Sequence, residues 1–133
     1  MIKILKFFFL CGTILTLLLG RGYAAVPIPS TPPGAALGAW LTAYNSGDAK
    51  LAKAYYDSIG AKVTIEEMQK RLSMTGELVL LRITVDEKFE IQALLKASKT
   101  GTRCRVRFRF DEKKPPAIRD FFMLIGVDWP FPK

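Results

Sequence analysis

From residue 35 onward the apolar positions follow two different periods, and the switch between them divides the chain. Ala36, Leu37, Trp40, Leu41 and Tyr44 recur at helical spacing, which predicts a helix over 35–44 with one apolar face. Asn45-Ser46-Gly47-Asp48 then stops that helix and starts another: Gly47 suits a left-handed C-terminal position and Asp48 an N-cap. The second helix, 49–58, is expected to turn Leu51, Ala52, Tyr55 and Ile59 inward, and Gly60 ends it. Thr64-Ile65-Glu66-Glu67 reads as a capping box that opens a third helix, running to about Met74 and stopping before Gly76. Beyond Gly76 the period becomes two. Residues 78–85, 88–96, 102–110 and 117–125 read as strands, joined by Asp86-Glu87, by Ser98-Lys99-Thr100-Gly101 and by the polar run 111–116. Such short connections predict an antiparallel meander. The fold class is therefore α+β: three N-terminal helices packed on one face of a four-stranded antiparallel meander.

Alternation assigns the strand residues to two faces. Val79, Leu81, Ile83, Val85, Ile91, Leu95, Val106, Phe108 and Phe121 are expected on the inner, helix-covered face. With the helices above them, Trp40, Tyr44, Tyr55, Phe89, Phe108 and Phe110 are the candidate lining of a pocket for a small apolar ligand. The third strand alternates most cleanly, with Cys104, Val106, Phe108 and Phe110 on one face and Arg103, Arg105, Arg107 and Arg109 on the other. If inward residues oppose inward ones, Arg109 lies beside Glu90 and Asp120, Arg107 beside Gln92 and Phe122, and Arg105 beside Leu94 and Leu124. One end of the arginine row is then neutralised and the other sits among leucines. Leu78, Leu80, Leu94, Arg105, Arg107, Phe122 and Leu124 form the candidate interface on this outer face. Three uses of the row stand open: a solvated face paired with carboxylates, a protein interface, or a groove for phosphate or polysaccharide. The patch also has two possible covers, a partner protein or the chain's own ends.

The two ends read differently from the middle. Lys3 and Lys6 precede an apolar run from Phe7 to Leu19, and small residues surround Gly22-Tyr23-Ala24. This is the order of a secretory signal peptide over 1–24, cleaved before Ala25. The run is shorter than the roughly 20 apolar residues of a membrane-spanning helix, so no stable span is expected after cleavage. Residues 25–34 hold four prolines and are expected to form a stiff, extended leader. The α+β domain occupies 35–126 and an irregular tail 127–133. The expected location is periplasmic or secreted.

Composition narrows the chemistry. The 133-residue chain contains no histidine, which excludes Ser-His-Asp and Cys-His nucleophiles and the commonest zinc sites. The acidic pairs Glu66-Glu67, Asp86-Glu87 and Asp111-Glu112 sit at caps or turns, and no titratable group points among the inner-face residues as general acid–base chemistry requires. No catalytic, cofactor-binding or metal-ligating residue is predicted, and no cofactor. Cys104 is the one cysteine left after export and is expected to be buried. The net charge of +8 falls to +5 (17 basic against 12 acidic) once Lys3, Lys6 and Arg21 leave with residues 1–24, a moderately basic balance that favours anionic partners. Nucleic acid is not among those expected, because only Phe122 interleaves with the basic residues of the outer face.

Ala36 to Asp57, "ALGAWLTAYNSGDAKLAKAYYD", resembles the opening of small α+β domains of the polyketide-cyclase-like (SnoaL-like) and cystatin-like group. It is most similar to the version found ahead of the catalytic domain in exported bacterial serine hydrolases and carboxy-terminal-processing-type peptidases. The shared pattern is Trp40-Leu41-Thr42-Ala43-Tyr44-Asn45-Ser46-Gly47-Asp48, followed by a third helix and a meander started by Thr75-Gly76. The resemblance covers roughly 35–125. It implies a non-catalytic accessory or protein-interaction domain of the bacterial envelope, because the hydrolase module and the pocket carboxylates or histidines of catalytic relatives are absent. Its partner is then an envelope protein or a second copy, met through the outer sheet face. The alternatives are the apolar-ligand binder and the N-terminal part of a split serine hydrolase.

Overall fold

A computed structural model describes residues 26–113 and 117–126; the expected signal sequence and the tail 127–133 lie outside the described residues. Helix α1 (Pro32–Asn45) begins three residues earlier than the spacing predicts. Pro32 and Pro33, expected to prolong the extended leader, instead fill its first turn, where a missing N–H costs nothing and the fixed φ is helical. Thr31 caps it, its side chain accepting from Gly34 N–H. Helix α2 (Ala49–Ser58) starts at Asp48, whose carboxylate accepts from the amides of Lys50 and Leu51. Its buried stripe is Ala52, expected inward, and Tyr56, four residues on; Leu51, also expected inward, is 56% exposed, and Tyr55 packs at the margin of the core while its hydroxyl donates to Ala36 O. Helix α3 (Ile65–Thr75) carries both halves of the capping box between Thr64 and Glu67. It ends at Gly76, where φ is +64° and a Cβ would stand 2.8 Å from the Ser98 hydroxyl.

The sheet is antiparallel in the order β1 (Leu78–Glu87), β2 (Glu90–Ala97), β3 (Arg103–Phe110), β4 (Ile118–Ile125). This is the α+β arrangement the pattern predicts, and β2, β3 and β4 keep the expected faces. The exception is β1. Its register against β2 shifts twice, between Leu80 and Arg82 and between Ile83 and Val85. Each shift sets two residues against one, and so exchanges the faces for everything beyond it. Leu78, opposite Ala97, is 2% exposed, and Leu80, opposite Leu95, packs against the core. Both were expected on the outer face. Val79 and Leu81, expected inside, are 50% and 38% exposed. Between the shifts Ile83, opposite Ala93, faces inward as predicted. The hairpin turn falls at Lys88-Phe89, two residues later than Asp86-Glu87, because β1 carries two extra residues.

The core lies between the helices and the inner face. Leu37, Trp40 and Tyr44 from α1, Tyr56 from α2 and Met68 from α3 close over Leu78, Ile91, Leu95, Cys104, Val106 and Phe108, each at most 2% exposed. No described helix is long and apolar enough to cross a membrane.

Candidate functional site: the outer face of the sheet

The expected ligand pocket is occupied by its own walls. Trp40 meets Tyr44, Phe108 and Phe121 with ring centroids 5.5, 6.2 and 5.8 Å apart, and Phe108 meets Phe121 at 4.9 Å. The polar atoms among them are satisfied within the core. The Trp40 indole donates to the Tyr56 hydroxyl at 3.2 Å, and the Tyr44 hydroxyl shares a 2.8 Å hydrogen bond with Thr75. Burial pushes the Tyr44 and Tyr56 phenols and the Cys104 thiol above their ordinary pKa, and the Tyr55 phenol up to about 12, with the neighbouring Tyr56 adding to it. Of the candidate lining residues, Trp40, Tyr44, Phe108 and Phe110 are core. Phe89 and Tyr55 pack on its margin, Phe89 at the β1–β2 turn and Tyr55 with its hydroxyl donating to Ala36 O of α1.

The Asn-Ser-Gly-Asp segment is also structural. Asn45 Nδ2 donates to Leu78 O at 2.8 Å, and Leu78 N–H donates back to Asn45 Oδ1 at 2.8 Å. One side chain thus ties the end of α1 to the first residue of β1, as a paired strand would. Gly47 turns the chain at φ +71°, and Asp48 caps α2. A groove of about 460 Å³ runs beside this turn, but its hydroxyls are engaged locally, Ser46 to Ala43 O and Ser73 to Lys70 O. Among the described residues no three Cys, Asp or Glu stand together in a way that could hold a metal ion.

The outer face is built differently. Pairing across the four strands lays its side chains in rungs, about 6.8 Å apart along the strands. The rung nearest the β1–β2 turn is Glu87, Glu90, Arg109 and Asp120; the next is Val85, Gln92, Arg107 and Phe122. Then come Arg82, Leu94, Arg105 and Leu124, and last Val79, Lys96 and Arg103. The cross-strand neighbours of the arginine row are those predicted from the alternation. Charge is therefore sorted along the strands. At the acidic end, Arg109 stands 3.5 Å from Glu90 and 4.0 Å from Asp120, while Arg107 stands 3.7 Å from Asp120 and lies over the Phe122 ring at 5.2 Å. At the other end Arg82, Lys96 and Arg105 gather near Arg103, and among the described residues the register sets no carboxylate opposite Arg82, Lys96 or Arg105.

Of the candidate interface residues, Leu94, Arg105, Arg107, Phe122 and Leu124 lie on this face and Leu78 and Leu80 do not. Leu94 and Arg107, though outward, are each only 4% exposed. Leu94 stands between Arg82 and Arg105, and arginine stems commonly cover apolar surface while their heads stay wet. The exposed apolar groups are at the rims: Val79 and Leu81 on β1, and Phe122, 49% exposed, on β4. The alternation pattern missed the β1 pair because it placed them inside. No protein-family model, curated protein or solved structure matches the chain.

Proposed function

We propose that this chain is an exported, non-catalytic accessory domain that binds another protein of the bacterial envelope through the outer face of its sheet. The observation that supports it is the make-up of that face: exposed Val79, Leu81 and Phe122 on the two edge strands, with a field of arginines between them. Aromatic, aliphatic and arginine side chains in one surface are the composition of protein interfaces, whereas scattered single apolar residues need no explanation. The opposite, inner face has no room for a ligand among Trp40, Phe108 and Phe121. Export rests on the order of residues 1–24, and the accessory role on the resemblance of 35–125 to domains of the SnoaL-like and cystatin-like group.

Site-specific photo-crosslinking tests the reading. A photoreactive residue is placed at Leu81 or Phe122, or as a control at Leu51 or Met74, which are 56% and 54% exposed on the helical side. Expressed in a bacterium with its residues 1–24, the chain should be recovered from the periplasm starting at Ala25. It should form a discrete protein adduct from positions 81 and 122 and none from 51 and 74. Adducts from the helical positions alone, or from no position, would overturn the assignment of the face, and a cytoplasmic chain starting at Met1 would overturn export. Leu94→Asp is unsuited to this purpose, because Leu94 is buried and the change would unfold the sheet instead of exposing the interface.

A further inference from the structure

The two edges of the sheet are not alike. β1 is interrupted by two register shifts, which spoil it as a template for another strand, whereas β4 pairs with β3 without a shift from Asp120 to Ile125. Over that stretch Phe121-Phe122-Met123-Leu124-Ile125 holds no charge, glycine or proline to deter a further strand, and Phe122 and Ile125 are 49% and 40% exposed. Gly126 N–H donates to Arg103 O at 2.9 Å, which marks that pair as hydrogen-bonded. Bonded pairs alternate along an antiparallel ladder. Leu124 and Phe122 therefore also bond β3, and the main-chain groups of Phe121, Met123 and Ile125 point to the open side. Among the described residues no main-chain group of another segment bonds them.

A groove of about 230 Å³ lies along this edge, between β4 and the α2–α3 connection. Its apolar wall includes Tyr56, Val63, Phe122 and Met123. Its charge comes from Lys62, exposed on the connection, and from Arg71 of α3, whose guanidinium stands 5.8 Å from the centre of the Tyr56 ring. Among the described residues neither cation is in an ion pair: Asp57 is held by Lys53 at 2.6 Å, and Glu67 by the Thr64 amide at 2.9 Å. We propose that this edge takes an extended segment of a partner protein as a fifth strand, antiparallel to β4, with a carboxylate side chain of that segment seated against Lys62 and Arg71. A strand added at an edge presents one set of its side chains to each side of the sheet. Residues opposite Phe121, Met123 and Ile125 point to the helix side, where the two cations stand, and residues opposite Phe122 and Leu124 point to the outer face. A second copy of β4 is a poorer occupant. Its one carboxylate, Asp120, points outward and stands 3.7 Å from Arg107 and 4.0 Å from Arg109, which leaves Lys62 and Arg71 without a counter-charge. Such docking leaves the arginines of the outer face uncovered, so it is independent of the interface proposed above.

The probe is a labelled peptide, Ser-Val-Thr-Val-Glu-Val-Thr-Val-Ser, whose Glu and Thr side chains fall on one face and whose Val side chains fall on the other. Fluorescence anisotropy with the exported chain should show it bound at least about tenfold more tightly than the same peptide with Lys in place of Glu, the scale of one charge-assisted contact. Paired with β4, the peptide turns its Glu and Thr amides to the edge and its Val amides away from it. N-methylation of the Glu and Thr amides should therefore abolish binding, and N-methylation of the Val amides should leave it. Lys62→Glu with Arg71→Gln should remove the preference for Glu over Lys, with an unchanged far-ultraviolet circular dichroism spectrum. Should that double variant fail to fold, Lys62→Glu alone, at its exposed position, should cut the preference several-fold. Equal binding of the Glu and Lys peptides, indifference to which amides are methylated, or a preference untouched by the substitutions would overturn the proposal. A dimer in sedimentation in place of peptide binding would put a second copy on the edge. Binding that appears only once residues 127–133 are removed would put the chain's own end there, and either result overturns it too.

Discussion

Asn45→Ala should be among the most damaging polar substitutions in the domain, although Asn45 lies at a turn and touches no catalytic group. Its side chain bonds both main-chain groups of Leu78, with donor–acceptor distances of 2.8 Å in each direction. Leu78 itself is 2% exposed and opens the edge strand β1. Truncation removes two hydrogen bonds and leaves a donor and an acceptor without partners; at about 1–3 kcal/mol for each buried unsatisfied group, and taking the lower part of that range for a half-buried site, the loss is about 2–4 kcal/mol. Asn45→Asp separates the two bonds. The carboxylate still accepts from Leu78 N–H, but its second oxygen opposes Leu78 O, so at neutral pH the loss should equal or exceed that of alanine. Opposition to the carbonyl raises the folded pKa of the introduced carboxyl, so its deficit should shrink as pH falls through that pKa and a protonated oxygen donates in place of the amide. Urea unfolding of the three proteins at neutral and acid pH measures this, with the slope expected to stay constant. A loss below about 0.5 kcal/mol for Asn45→Ala, the scale of an ordinary surface change, would refute the reasoning that this side chain ties α1 to β1.

Two further outcomes follow from the core. Trp40→Ala removes a fully buried ring that touches Tyr44, Phe108 and Phe121 and should cost about 3–5 kcal/mol by urea unfolding, with Trp40→Phe costing less. Raising the pH should weaken the fold: with the folded Tyr55 pKa near 12 against 10.0 unfolded, unfolding releases a proton between those values, so stability complete below pH 10 falls as pH climbs toward 12. Tyr55→Phe should flatten that fall in urea midpoints measured across the window.

The elements with one unambiguous period were legible from the residues. The strand Arg103–Phe110 alternates charged and apolar without a break, so only one register buries its apolar set, and its neighbours on β2 and β4 are as expected. The capping box and Asp48 cap are local chemistry and needed no tertiary information. The residues of β1 are another matter. Leu78, Val79, Leu80 and Leu81 are all apolar, so alternation names no buried face, and the choice falls to the turn and to the partner strand. A two-residue turn at Lys88-Phe89 pairs odd positions of β2 with even positions of β1, yet Ile83 must reach the core opposite Ala93 and Leu80 must reach it opposite Leu95. Two register shifts satisfy both. The helix that begins at Pro32 was hidden for a related reason: proline forbids a helix interior but suits a first turn, and only the Thr31 cap distinguishes the two.

The same shifts bear on the site. An edge strand with an unbroken row of free main-chain groups invites indiscriminate pairing, and bulges are a common means of blunting it. In β1 they interrupt the strand at Leu81 and Thr84, next to the rim that carries Val79 and Leu81. The edge is thereby made a poor template for another strand, while its apolar side chains are turned onto the face that holds the arginines. On the proposed reading, recognition through that face depends on side chains, not on strand addition. Substituting Val79 or Leu81 should therefore affect binding more than any change confined to the edge main chain.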